Sequence, residues 1–146
     1  MQILKLNMFK IFILLSFVIV SSDLLAEQKK TLGDWDVHYI AFPSTFLEPE
    51  VAKANNITRS STRAVINISV LDSKSKAALE VEVSGNARNL LGTNKPLEFT
   101  TVKEGDAIYH LATVNFDDKE VLRFTIDMKQ GNVSQQLKFQ QKMYED

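Results

Sequence analysis

The chain has 146 residues, 17 Lys and Arg against 18 Asp and Glu, 45% hydrophobic residues and no cysteine. A net charge of −1 argues against a nucleic-acid partner, because polyphosphate binding is driven by clustered cations that displace counterions. The missing thiols remove disulfides, thiolate metal sites, cysteine nucleophiles and a lipid-modified N-terminal cysteine together.

At the N-terminus, Lys5 and Lys10 precede an uncharged run over residues 11–20 (IFILLSFVIV), and small residues follow around Ser21, Ser22 and Ala26. This is the three-part secretory pattern. The run falls short of the roughly 20 apolar residues that span a bilayer, so the expectation is a signal peptide over residues 1–26, cleaved after Ala26 or alternatively after Ser22, and a periplasmic protein. Removing 26 residues from 146 leaves 120 and takes out Lys5, Lys10 and Asp23, which moves the net charge from −1 to −2. A chain of that size buries one core without staples. Residues 27–32 (EQKKTL) read as a flexible lead-in, and residues 33–146 as a single domain.

From Trp35 onward the hydrophobic pattern has a period of two, the mark of strands with one buried face. Residues 35–42 (WDVHYIAF) form the first predicted strand. Residues 63–71 (RAVINISVL) form the second, with Ala64, Ile66, Ile68 and Val70 on one face. The polar cluster at 72–76 turns the chain into a third strand, 79–85, through Leu79, Val81 and Val83. A loop over 85–96 follows, rich in Asn and Gly. Residues 97–102 and 107–114 flank a short glycine-bearing connection; 121–128 and 133–143 flank another at Gln130, Gly131 and Asn132. Seven strands result. Residues 43–61 break the rhythm, and there Pro49 with Glu50, Val51, Ala52, Lys53 and Ala54 suits a short helix.

Seven short strands with one helical crossover predict an all-β fold. Two packed antiparallel sheets are favoured over a single open sheet, which would leave an apolar face wet. An immunoglobulin-like sandwich is the expected form, with a small closed barrel as the alternative.

Several short segments resemble a known family: Val37, His38, Tyr39 and Ala41; Ser44, Thr45, Phe46 and Leu47 with Pro49 and Val51; and Ile57, Thr58, Arg59 and Ser60. So do Asn89, Leu90 and Leu91, residues 104–109 (EGDAIY), and the closing Leu137, Phe139, Gln141 and Tyr144. In this order, from about Gly33 to Tyr144, the chain resembles the small exported gammaproteobacterial proteins known as domain of unknown function 4426 (DUF4426). Trp35 departs from the tyrosine expected there. The resemblance implies a periplasmic immunoglobulin-like sandwich and supplies no activity, cofactor or catalytic residue.

The two histidines, His38 and His110, each adjoin a tyrosine in a predicted strand. Neither shows the spacing of a metal motif, so the simpler reading is a half-buried imidazole bonded to a neighbouring loop, and no metal or cofactor is assigned. No G-x-S-x-G elbow exposes a serine nucleophile. An enzyme is therefore not expected, although a hydrolase or metal-dependent enzyme using His38, or a structural envelope subunit, remains an alternative. The candidate binding residues are His38, the crossover residues Ser44, Thr45, Phe46, Arg59 and Ser60, and the loop residues Arg88 and Asn89. The crossover is either a recognition surface anchored by Arg59 with Phe46 and Leu47 as apolar contacts, or a cap, with Ser44 or Thr45 satisfying backbone amides, Phe46 and Leu47 plugging one end, and Arg59 tying the loop. Leu90 and Leu91 are either a second plug or an exposed pair. Should both loops fall at one end, Arg59 and Arg88 would form a small anion site. The expected role is a non-enzymatic binding or accessory module presenting these loops to an envelope protein or a small ligand.

Overall fold

The computed structural model describes residues 27–146, so the expected signal peptide at 1–26 lies outside the described residues. Alternating side chains lay down ten strands: β1 (Gln28–Leu32), β2 (Trp35–Pro43), β3 (Arg63–Asp72), β4 (Ala78–Leu79), β5 (Glu82–Asn89), β6 (Asn94–Leu97), β7 (Thr100–Glu104), β8 (Ala107–Asn115), β9 (Glu120–Gln130) and β10 (Val133–Met143). Between β2 and β3 lie a 3-10 turn (Ser44–Phe46) and one short helix, α1 (Pro49–Ala54), with Pro49 opening its first turn.

Two antiparallel sheets face each other. One has the order β1-β2-β3-β8-β7, with β4 alongside the C-terminal half of β3; the other has the order β10-β9-β5-β6. The longest pairing joins β9 to β10 through Gly131, whose φ of 57° supplies the left-handed first position that a tight hairpin turn needs. Inward side chains of both sheets form one core. Ile66, Ile68 and Val70 of β3 are fully buried on one side, and Leu122, Ile126 and Leu137 on the other. Tyr39 of β2 meets Phe139 of β10 at 4.6 Å between ring centroids, and Phe139 stacks on Phe124 of β9 at 4.6 Å. This aromatic stack ties the two layers together.

Four predicted segments change. Residues 28–32 are not a flexible lead-in but an edge strand, paired from Gln28↔Tyr39 to Leu32↔Trp35. The segment QKKTL has no apolar alternation because an edge strand is stabilised by backbone pairing, and lysines there discourage pairing with a second molecule. The predicted strands 79–85 and 97–102 are each two pieces. The chain leaves the first sheet after β4 and joins the second at β5, then returns between β6 and β7. Alternation runs straight through both crossings because the two sheets share one interior. The predicted loop 85–96 is mostly the β5–β6 hairpin, closed by the Asn89 amide donating to the Thr93 carbonyl at 3.1 Å.

Candidate functional site

At the end of the sandwich where β3 begins, the crossover is bonded to itself. Ser44 is fully buried; its hydroxyl donates to the Ser60 carbonyl at 3.0 Å and accepts from the Ser60 amide at 2.9 Å. Arg59 donates to the Thr45 carbonyl at 2.8 Å, and Thr45 donates to the Asp146 carboxylate at 2.7 Å. These bonds tie the loop to its own ends and to the C-terminus. Phe46, by contrast, is 48% exposed and plugs nothing.

The β5–β6 hairpin reaches the same end. The Asn89 side-chain oxygen accepts from the Leu91 and Thr93 amides, and its nitrogen donates to Glu120 at 2.9 Å. Lys95 donates to Glu120 at 2.6 Å and to the Asn115 carbonyl at 2.7 Å, which joins hairpin to sandwich. Burial acts to raise the Glu120 carboxyl, but the Lys95 and Asn89 hydrogen bonds outweigh it and hold the group below its ordinary range. Leu90 and Leu91 are an exposed pair rather than a plug.

The candidate residues do not converge. His38 sits between Lys29 and Ser69 on the outer face of the first sheet, with Nδ1 3.8 Å from the Glu27 carboxylate. Arg59 is committed to Thr45. Arg88 stands on the outer face of the second sheet, directly opposite Arg123. Arg59 and Arg88 thus fall at one end of the sandwich without forming a shared anion site.

A different residue carries the most distinctive geometry. His110 of β8 shares the inward face with Ala112 and Val114 and is 1% exposed. Its Nδ1 lies 3.0 Å from the hydroxyl of Thr101, its cross-strand partner on β7, and its Nε2 is buried with no hydrogen-bond partner. Burial pushes the imidazole below its ordinary value; a backbone contact with Leu79, too loose in distance or angle to satisfy Nε2, and the Glu80 charge oppose this more weakly. His110 is part of the wall of a cleft of about 660 Å³ where β4 passes over to β5. Glu80, Glu82 and Lys129 supply charge to that wall, and Val83 and Phe99 supply apolar surface. Lys103 fixes the Glu80 carboxylate at 2.7 Å and, by that hydrogen bond, holds it below its ordinary range. Gln130 holds the Glu80 carbonyl at 3.1 Å. An imidazole with one satisfied nitrogen and one buried free nitrogen can donate to or accept from a guest in such a cleft.

Sequence reasoning missed this site. The one available signal was a lone histidine in register with alanine and valine on a buried face; the partners that make it a cleft come from other elements.

The fold and cleft define a small two-sheet β-sandwich with a polar opening between its layers. The chain belongs to the DUF4426 family, described as a domain of unknown function, whose model matches residues 29–146. A DUF4426 family protein of Pseudomonas aeruginosa PAO1, known from a crystal structure, is 39% identical, with a TM-score of 0.73 over 82% of this chain and 96% of that one. FetP of uropathogenic Escherichia coli strain F11 shares the fold at 10% identity, with a TM-score of 0.60 over 82% of this chain and 95% of that one. A copper-bound variant of FetP matches at 10% identity and a TM-score of 0.58, covering 84% and 98%. No curated protein matches. Among the described residues no helix is long and apolar enough to cross a membrane.

Proposed function

We propose that the protein is an exported, non-enzymatic binding module of the bacterial envelope that takes a small polar ligand in the cleft around His110. The observation that carries this reading is the Nε2 of His110, buried without a partner at the wall of an open cleft. Leaving a polar atom buried and unpaired costs about 1–3 kcal/mol, a cost that a guest hydrogen bond removes. Export rests on the leader pattern at residues 1–26. The sheet order supports an immunoglobulin-like form, since β2-β3-β8-β7 facing β10-β9-β5-β6 corresponds to strands A-B-E-D facing G-F-C-C′.

The copper bound to the FetP variant does not carry over. Among the described residues no three His, Asp or Glu side chains come close enough to hold a metal ion. An enzyme centred on His38 is equally poorly served, because the carboxylate nearest its ring is the exposed Glu27 at 3.8 Å, and Asp36 on the same face is taken up by Lys76 and Thr31.

The test is a thermal-shift screen with amino acids, their amides and short dicarboxylic acids, followed by side-chain ¹⁵N spectra of His110. The expected result is a compound that raises the melting midpoint, moves the His110 Nε2 resonance and loses both effects in His110→Gln. Stabilisation that survives in the variant, or a His110 resonance that no compound moves, overturns the reading.

A further inference from the structure

We propose that the outer face of the β10-β9-β5-β6 sheet is a second binding site, for a phosphate-bearing saccharide. The register places Arg88 of β5 directly opposite Arg123 of β9. Lys138 of β10 stands opposite Thr125, which is the next same-face position along β9 from Arg123, so its diagonal separation from Arg123 is roughly 7–8 Å. All three cations are exposed and line one shallow cleft of about 610 Å³. None of them takes part in the ion pairs of the described residues. Like charges directly opposite one another across a strand pair oppose folding. The sheet therefore carries a repulsion between Arg88 and Arg123 that no ion pair of the described residues relieves, and a bound oxyanion would relieve it.

The identity of the anion follows from the donors. Two guanidinium forks side by side suit a compact group with several oxygens, which each fork can meet with two parallel hydrogen bonds. Around the cations stand Asn86, Asn94 and Gln140, neutral donors and acceptors of the kind that pair with sugar hydroxyls. The two aromatic residues of the lining, buried Phe124 and partly buried Phe139, stack on each other and, through Phe139, on Tyr39 at the inner face, so neither ring stands out as an apolar anchor among the cations. Protein interfaces are organised around buried aromatic or aliphatic anchors. A hydrophilic phosphorylated ligand thus fits this face better than an acidic protein patch does. The site lies on the solvent side of its sheet, so it stands independently of the His110 cleft.

The experiment is a titration of the described chain with glucose 1-phosphate, inorganic phosphate, glucose and poly-glutamate, followed by backbone and arginine Nε correlations. Glucose 1-phosphate is expected to shift Arg88 and Arg123 and to bind more tightly than either phosphate or glucose. Affinity is expected to fall as salt is added, and by about tenfold or more in Arg88→Gln or Arg123→Gln. Removing the repulsion leaves the melting midpoint of each variant equal or higher, which separates lost binding from lost folding. The proposal is overturned by silence at millimolar sugar phosphate, by undiminished binding in the double variant, or by inorganic phosphate binding equally well. Tighter binding of poly-glutamate at the same residues also overturns it and reassigns the face to a protein partner.

Discussion

Thr101 and His110 face each other across the β7–β8 pair, with the hydroxyl oxygen 3.0 Å from Nδ1. This contact decides which chemistry the free nitrogen offers. If Thr101 donates to Nδ1, the ring proton sits on Nε2 and makes it a donor; if Nδ1–H donates to Thr101, Nε2 is an acceptor. Side-chain ¹⁵N shifts distinguish the two. In Thr101→Val the hydroxyl is lost and both nitrogens are left unpaired. The expected cost is about 1–3 kcal/mol in urea denaturation, together with broadening of the His110 ring resonances as the imidazole loses its anchor.

The same histidine makes the fold acid-sensitive. Burial lowers its pKa in the folded chain below the ordinary value of 6.5. Between that value and the lower folded one, the unfolded chain binds the proton and the folded chain does not, so stability rises with pH across the window and falls as the solution is acidified below 6.5. Denaturant midpoints measured from pH 7.5 down to pH 5 should decline in the wild type and decline less steeply in His110→Gln. Parallel curves for the two proteins would show that other groups set the slope.

A second acid-labile contact sits at the far edge of the same sheet. Asp36 is 3% exposed, accepts from the Lys76 ammonium at 2.5 Å and from the Thr31 hydroxyl at 2.8 Å. The Lys76 hydrogen bond, then that of Thr31, lowers its carboxyl below the ordinary 3.8. A depressed carboxylate stabilises the fold above its unfolded value and loses that contribution as pH falls through the folded one. Asp36→Asn should therefore be less stable than the wild type at pH 7, and the gap should close below pH 3.8. Because Thr31 belongs to β1, the variant should also show faster amide exchange over Gln28–Leu32.

How much of this was legible in the sequence differs from element to element. The alternation of Ala64, Ile66, Ile68 and Val70 located β3, and that of Leu122, Phe124, Ile126 and Met128 located β9, because each strand stays in one sheet with one face on the core. The crossings near Val81 and Phe99 were invisible, since a side chain pointing into a shared interior looks alike from either layer. β1 was invisible for the opposite reason: its contribution is backbone pairing, which leaves no apolar signature. Ser44 and Ser60 could be named as hydroxyls in a crossover, but their mutual bonding is a tertiary fact. The His110 cleft depends on Thr101, Glu80 and Lys129, which alternation along any single strand does not bring together.

The crossover gives a stability prediction of its own. Ser44 holds both the amide and the carbonyl of Ser60 while fully buried, so Ser44→Ala leaves the Ser60 amide without its partner, while the Ser60 carbonyl keeps the Arg63 amide at 3.2 Å. The expected loss is about 1–3 kcal/mol, with accelerated exchange at the Ser60 amide. Ser44→Thr keeps the hydroxyl but adds a methyl where there is no room, and a milder loss of stability with the Ser60 amide still protected is expected. Equal exchange at Ser60 in wild type and Ser44→Ala would mean that the crossover is held elsewhere, through Arg59 and Thr45.

Gly85 sets the closest approach between β5 and β9. A Cβ built there would collide with the Thr125 carbonyl and press on Ile126. Since its φ is an ordinary one, the constraint is space rather than backbone strain. Gly85 faces Ile126 on one side and Leu97 of β6 on the other, so a methyl group would wedge the centre of the second sheet apart. Gly85→Ala is expected to cost about 1–3 kcal/mol, the usual range for forcing an extra carbon into packed structure. Gly92→Ala is the control: nothing lies within reach of its Cβ, but its φ of 86° makes any loss there one of backbone conformation in the hairpin loop. Chemical shifts should separate the two, with Gly85→Ala perturbing Thr125 and Ile126 in the sheet interior and Gly92→Ala confined to the loop. A Gly85→Ala protein as stable as the wild type would show that β5 and β9 separate without penalty at this point.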